Sequence, residues 1–193
     1  MEMTKSEKFF VNSGIFNFIY KITIYNSFLN FIDKNIKGKL LEIGCGIGKT
    51  THFLAEKYNK LKITAIDYDK KQIDIANQNN KLNNVEFKHR DATSLKFKNN
   101  SFNCIIETNV LHHIRNYEDA INEARRVLKK NGYFYLMDIS QYFFGLPLIR
   151  FLFPPESYIT KSIILEKLKE NNFKIEKSRG NFVFFIAAKK VQK

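Results

Sequence analysis

Four carboxylates, one cluster of glycines and one pair of histidines carry the chemistry open to this chain. Glu42 stands just before Gly44-Cys45-Gly46-Ile47-Gly48. Asp67 and Glu107 each close a short apolar run, and Asp91 follows a third. His112 and His113 come soon after Glu107. Glycines at alternate positions let a backbone turn sharply and let a ligand come close to it. A helix starting behind such a turn aims its N–H groups and positive dipole end at that ligand. Together these residues describe a nucleotide-binding corner with an acidic lining.

Three nucleotides compete for that corner. Gly48-Lys49-Thr50 matches the end of a triphosphate loop, but the first glycine of that motif would fall on Ile43, inside the apolar run. Gly44 and Gly46 fit the first two positions of G-x-G-x-x-G, but the third falls on Lys49. Glu42 would also face a pyrophosphate unfavourably, although Asp67 suits a ribose. S-adenosylmethionine has a ribose and an adenine, no phosphate, and a cationic sulfonium and ammonium. An acidic corner suits it better than either alternative.

The elements that position these groups follow from periodicity. Residues 39–43, 62–66, 85–88, 102–107 and 133–139 read as strands. Helices are expected over 50–58, 70–82 and 117–129, with Asn131-Gly132 as a C-cap for the last. A helix over 163–171 then precedes a hairpin, 173–177 and 182–188, around Arg179-Gly180-Asn181. Alternating strands and helices predict a parallel sheet covered on both faces. The closing hairpin adds one antiparallel strand near an edge. Residues 1–36 carry aromatic and aliphatic side chains at helical spacing and read as an N-terminal helical extension, either a lid or sheet packing.

Over roughly residues 38–139 the sequence resembles the class I S-adenosylmethionine-dependent methyltransferases. It is similar in particular to the type 11 and ubiquinone/menaquinone-biosynthesis groups. Leu41-Glu42-Ile43-Gly44-Cys45-Gly46-Ile47-Gly48 matches their first motif, and Ile63-Thr64-Ala65-Ile66-Asp67 their second strand. His89-Arg90-Asp91-Ala92 matches the adenine segment. Residues 102–107 with Val110-Leu111-His112-His113-Ile114, and Leu128-Lys129-Lys130-Asn131-Gly132-Tyr133, match the two later stretches. Asn103 departs from the aspartate common in relatives, at a strand start away from the ligand edge.

The resemblance implies a Rossmann-like three-layer α/β/α sandwich with a mostly parallel seven-stranded sheet, in one methyltransferase domain over 37–193. It implies S-adenosylmethionine as cofactor, S-adenosylhomocysteine as product, and no metal. Gly44, Cys45 and Gly46 would lie along the methionine part, with Glu42 near its ammonium, directly or through water, and Glu107 or its backbone carbonyl close by. Asp67 would take the ribose hydroxyls, Tyr68 would pack on the adenine, and Asp91 and Ala92 would meet its edge. His112 and His113 are candidate bases, but a structural role at a helix start suits them better. Methyl transfer needs alignment more than acid–base help. The alternative is a non-catalytic cofactor-binding regulator of the same fold.

Composition bounds the rest. A chain of 193 residues with 44 % hydrophobic content forms one domain with a sizeable core. Cys45 and Cys104 are far apart and read as free thiols of a reducing, cytoplasmic setting. The net charge of +13 is spread along the chain as lysine, without the basic–aromatic blocks of a nucleic-acid binder. The acceptor is expected to be a small molecule met by the N-terminal helices and residues 140–160. The large apolar groups there suit a lipophilic or aromatic acceptor, and peripheral membrane contact is the lesser expectation. Oligomeric state is not legible.

Overall fold

Apolar runs form the innermost strands, because a parallel strand buried on both faces has no polar side to show, and alternating patterns form those towards one edge. In the computed structural model, which describes residues 26–142 and 156–191, these are β1 (Gly38–Ile43), β2 (Leu61–Asp67), β3 (Val85–His89), β4 (Phe102–Thr108) and β5 (Leu128–Ile139). The closing hairpin is β6 (Phe173–Arg179) and β7 (Val183–Lys190). The sheet order is β3-β2-β1-β4-β5-β7-β6. β7 runs antiparallel to both β5 and β6, so it is the one reversed strand and sits beside the edge, as the hairpin predicts. Strand order reverses between β1 and β4, which opens a crevice at the carboxyl edge of the sheet.

Helices cover both faces. α1 (Asn26–Phe31), α2 (Lys49–Lys57) and α3 (Lys70–Asn79) lie on one side with Leu40, Ile63, Ile106 and Tyr135. α4 (Tyr117–Val127) and α5 (Lys161–Glu170) lie on the other with Leu41, Ile66, Ile105 and Phe134. Adjacent strand residues alternate between these two cores, as the pleat requires. Among the described residues no helix is long and apolar enough to cross a membrane.

Two boundaries differ from the periodicity. α3 stops at Asn79 rather than near Leu82, because Asn80 organises the exit: its Oδ1 accepts from Leu82 N–H and its Nδ2 donates to Val85 O. α4 stops at Val127, and Leu128 already pairs with Phe102 in β5. The register then slips, so that Cys104 faces Tyr133. Asn131, at φ 61°, and Gly132 therefore form a kink within β5 and not a helix cap.

The described end of the N-terminal extension is sheet packing. Phe28, Leu29, Phe31 and Ile32 are buried, and Phe28 and Phe31 lie 5.9 and 5.8 Å from the Phe185 ring. Arg179 stacks over Phe31 and Phe185 and donates to Ser27 O at 2.6 Å. The lid expected from the earlier part of the extension falls on residues 1–25, outside the described residues. Phe185→Ala is expected to cost about 3–5 kcal/mol in denaturant unfolding, whereas Phe182→Ala, at a solvent-exposed ring, should stay within about 0.5 kcal/mol.

Candidate functional site

The carboxyl edge of β1 turns through three glycines in the left-handed region, Gly44, Gly46 and Gly48, at φ 74°, 53° and 83°. A Cβ on Gly44 would fall 2.0 Å from Val110 Cγ2, and one on Gly48 would fall 2.6 Å from the Phe87 ring. At Gly46 a Cβ would meet only Gln72 Oε1, at 3.9 Å, so this glycine faces open space.

The N–H groups of the turn point inward. Gly44 and Cys45 both donate to Ile66 O, at 2.8 and 2.9 Å, and Gly48 donates to Cys45 O at 2.9 Å. Gly46 N–H donates to Asp67 Oδ2 at 2.7 Å. A phosphate site needs such donors free. Here those of Gly44, Cys45, Gly46 and Gly48 are committed to the fold, contrary to what a bare strand–glycine–helix pattern suggests. The Cys45 thiol is buried and donates to Gly46 O at 3.6 Å, and burial pushes its pKa well up.

Glu42 lies beneath this turn, fully buried. Thr51 Oγ1 donates to its Oε2 at 2.6 Å, while Oε1 is buried without a hydrogen-bond partner. Burial raises its pKa to about 7, the Thr51 bond lowers it, and nearby Asp67 raises it again. A buried acceptor left without a partner is costly. A cationic group approaching the turn fits this atom, and a phosphate does not.

Asp67 ends β2 on the same sheet face. Its Oδ2 braces Gly46, and its Oδ1 accepts from Asp69 N–H at 2.8 Å. Both carboxylate oxygens of Asp67 thus accept from the chain at the carboxyl edge of the sheet. Beyond them lies a shallow cavity of about 330 Å³ lined by Tyr68, His89, Arg90, Asp91, Ser94 and Lys96. Tyr68 is 51 % exposed, so its ring face is available. Asp91 Oδ1 accepts from Thr93 N–H and Oγ1, at 2.8 and 2.7 Å, which fixes the turn that buries Ala92.

Glu107 sits apart from Glu42. Pleat alternation places it on the α4–α5 face, while Glu42 and Asp67 share the α2 face. Its Oε1 accepts from Val110 N–H at 2.5 Å and Leu111 N–H at 3.3 Å. Its carboxyl therefore ties the chain into the 3-10 turn Leu111–His113. Burial first, and Asp138 second, push its pKa well up. His112 is buried, with Nδ1 2.5 Å from Asp138 Oδ1, and its N–H donates to Asp138 Oδ2 at 3.3 Å. The His113 ring packs against the His112 ring, centroids 4.0 Å apart and tilted by 42°. Burial, followed by His112, pushes its pKa down to about 3, which makes it a poor proton acceptor at neutral pH.

The structure thus brings Glu42, Gly44, Cys45, Gly46 and Asp67 into one corner and sets Tyr68, Asp91 and Ala92 beside it. Glu107, His112 and His113 form a second cluster across the sheet edge. Thr51 and Asp138 belong to these clusters but carry no spacing signal in the sequence, and Val110 is marked only as part of the matched stretch after β4. Asp138 reaches His112 only because β5 lies against β4. Among the described residues, no group of three or more His, Cys, Asp or Glu could hold a metal ion.

The family profile described as a methyltransferase domain matches residues 41–136. The chain is 28 % identical over 120 residues to a fatty-acid O-methyltransferase of Mycolicibacterium smegmatis, covering 62 % of this chain and 43 % of that one. It is 27 % identical over 164 residues to a ubiquinone biosynthesis O-methyltransferase of Pelagibacter ubique, covering 77 % and 67 %. The chain spans less than half the length of several such relatives. Among solved structures, an S-adenosylmethionine-dependent methyltransferase from Methanosarcina mazei superposes with TM-score 0.70 at 25 % identity, over 88 % of this chain and 99 % of that one. One from Aquifex aeolicus, at 19 % identity, shares the fold with TM-score 0.76 over 99 % and 100 %.

The Glu42 carboxyl titrates at about 7 in the fold against its usual 4.5. The folded chain therefore holds an extra proton between those values, and Glu42 makes stability fall as pH rises through that window. Glu42→Gln should flatten this slope. The difference between wild type and variant is expected to change by on the order of 2 kcal/mol from pH 5 to pH 8 in denaturant unfolding. Parallel pH profiles for the two proteins would show that Glu42 does not titrate in this way.

Proposed function

We propose that this chain, which belongs to the class I S-adenosylmethionine-dependent methyltransferases of the type 11 group and takes S-adenosylmethionine as its cofactor, transfers the cofactor's methyl group by in-line displacement to a small lipophilic or aromatic acceptor. The observation that carries the reading is Glu42. A buried carboxylate with an unpartnered oxygen lies beneath a turn whose N–H groups face inward, which suits a cation. When bound, the cofactor supplies a methyl carbon made electrophilic by the sulfonium and a neutral thioether as leaving group.

The chain's own residues would then bind and orient. Glu42 holds the ammonium end, directly or through water, and the backbone of Gly44, Cys45 and Gly46 runs along the methionine part. Asp67, at the end of β2, takes the ribose hydroxyls. Tyr68 covers one face of the adenine, the outer oxygen of Asp91 accepts from its amino group, and Ala92 N–H meets the ring. Glu107 acts at one remove, by fixing the turn that carries Val110 over Gly44. Alignment in a dry corner could supply much of the rate. Neither histidine is assigned as a base: His112 is held by Asp138, and His113 stays neutral.

The acceptor class rests on two supports. Relatives are named for fatty acids and ubiquinone biosynthesis. Residues 140–160, assigned to the acceptor side, are dense in large apolar groups, although 143–155 lie outside the described residues. The flanking Tyr142 and Tyr158 are 65 % and 50 % exposed.

Thermal shift with S-adenosylmethionine and S-adenosylhomocysteine tests the cofactor assignment. Ligand at a hundredfold over Kd should add about 2.7 kcal/mol of stability. Asp67→Asn should weaken both ligands at least about tenfold by removing a charged acceptor. No shift at millimolar ligand would sink the assignment. A screen of phenols, quinols and fatty acids with methyl-labelled cofactor then identifies the acceptor, and labelling of none of these classes while a polar acceptor is labelled would overturn the lipophilic reading.

A further inference from the structure

The two clusters meet at one short turn. Val110 lies directly against Gly44, as the 2.0 Å approach of a Gly44 Cβ shows. Glu107 holds the N–H groups of Val110 and Leu111. The next residue, His112, is gripped twice by Asp138, at its ring and at its N–H. The His112 carbonyl then accepts two donors from far along the chain, Glu156 N–H at 2.9 Å and Ser157 N–H at 3.1 Å. Ser157 Oγ donates to Leu111 O at 3.0 Å, and Arg115 pairs with Glu156 at 3.2 Å. Residues 110–113 therefore touch the cofactor's glycine turn on one side and the acceptor-side residues 156–157 on the other.

Asp138 fixes this turn from below. It is fully buried, and Oδ1 also accepts from Ile139 N–H at 2.6 Å, which locks its rotamer. Its two oxygens hold a side-chain donor and a backbone donor of the same histidine, which sets both the ring and the carbonyl that faces Glu156. A neutral amide could satisfy one of these donors, and its NH2 arm would oppose the other.

We infer that Asp138 is a positioning residue which, through His112, couples occupation of the cofactor corner to the seating of Glu156 and Ser157 on the acceptor side. The inference rests on the cofactor reading above. Such a link gives an order to binding: filling the glycine corner steadies Val110, the 3-10 turn follows as one unit, and the acceptor side is seated on it. Linkage makes the effect reciprocal, so an acceptor that presses on 156–157 tightens the cofactor.

Amide hydrogen exchange on the full chain, with S-adenosylhomocysteine as the probe, tests it. In the wild type the ligand should slow exchange at Gly46, and also at Glu156 and Ser157, by about tenfold or more. In Asp138→Asn, Gly46 should still be slowed while Glu156 and Ser157 respond by less than about threefold. Ser157→Ala leaves the buried cluster intact and should give a partial loss confined to 156–157, which serves if the aspartate variant folds poorly. A merely structural role would speed exchange in Asp138→Asn equally with and without ligand, and that result overturns the coupling. Protection of Gly46 without any change at Glu156 and Ser157 in the wild type also overturns it, while leaving the cofactor reading intact. Protection nowhere removes both.

Discussion

The end of β2 dictates the shape of the cofactor corner. One carbonyl, Ile66 O, accepts from two successive donors, Gly44 and Cys45, and the next side chain, Asp67, takes the third, from Gly46. Three bonds from one neighbouring strand bend the exit of β1 into a tight arc. That arc demands positive φ at Gly44 and Gly46 and leaves no room for a side chain under Val110. It also settles the electrostatics. The N–H groups of Gly44, Cys45, Gly46 and Gly48 are turned in, and the carboxylates of Glu42 and Asp67 lie beside the turn. A turn whose sequence could pass for a phosphate loop is thereby made fit for a cation.

A division of labour between the sheet faces follows. On the α2 face, Asp67 ends β2 at the carboxyl edge, and Glu42 lies fully buried beneath the glycine turn. On the α4–α5 face, Glu107, Asp138 and His112 are buried and bond to the chain itself, with Glu107 Oε2 left without a partner. The faces communicate where Val110 crosses over Gly44. Burial of three carboxylates is expensive unless each is paired or protonated. Glu107 is eased by two N–H donors and by a pKa pushed well up, and Asp138 by His112 and Ile139. Glu42 has Thr51 for one oxygen only. Glu42 and Glu107 each keep one buried oxygen without a hydrogen-bond partner, and Glu42 is the one that lies beneath the glycine turn.

The parts legible in the sequence are those built from local pattern. The apolar runs of β1, β2, β4 and β5 and the hairpin of β6 and β7 predict the sheet, including its single reversed strand. Ile43, at the position of a triphosphate loop's first glycine, excludes that loop. Boundaries governed by side chains escape periodicity: Asn80 ends α3 early by capping its own exit, and Asn131 kinks β5 where it reads as a helix cap. Contacts assembled by topology escape it altogether. Asp138 lies 26 residues from His112, and Glu156 and Ser157 lie 44 and 45 from it, so no motif can reveal that they share one turn. The role of Glu107 is hidden for another reason. Its place at a strand end near the glycines suggests a ligand contact, but the pleat turns its side chain to the other face.

The paired histidines illustrate how environment overrides residue type. Imidazole is the usual choice for proton transfer near neutrality because its pKa lies there. Burial and the neighbouring ring take His113 far below that range, and the carboxylate of Asp138 commits the Nδ1 of His112. Neither change would suit a general base, but both suit a hinge of fixed shape. A neighbouring, neutral ring adds packing without adding charge to a cluster that already holds two acids, and an anchored ring orients the carbonyl that receives Glu156 and Ser157. A reaction whose electrophile arrives already activated leaves the protein little to do but hold two partners in line. In such a site, histidine is better used to fix geometry than to move protons.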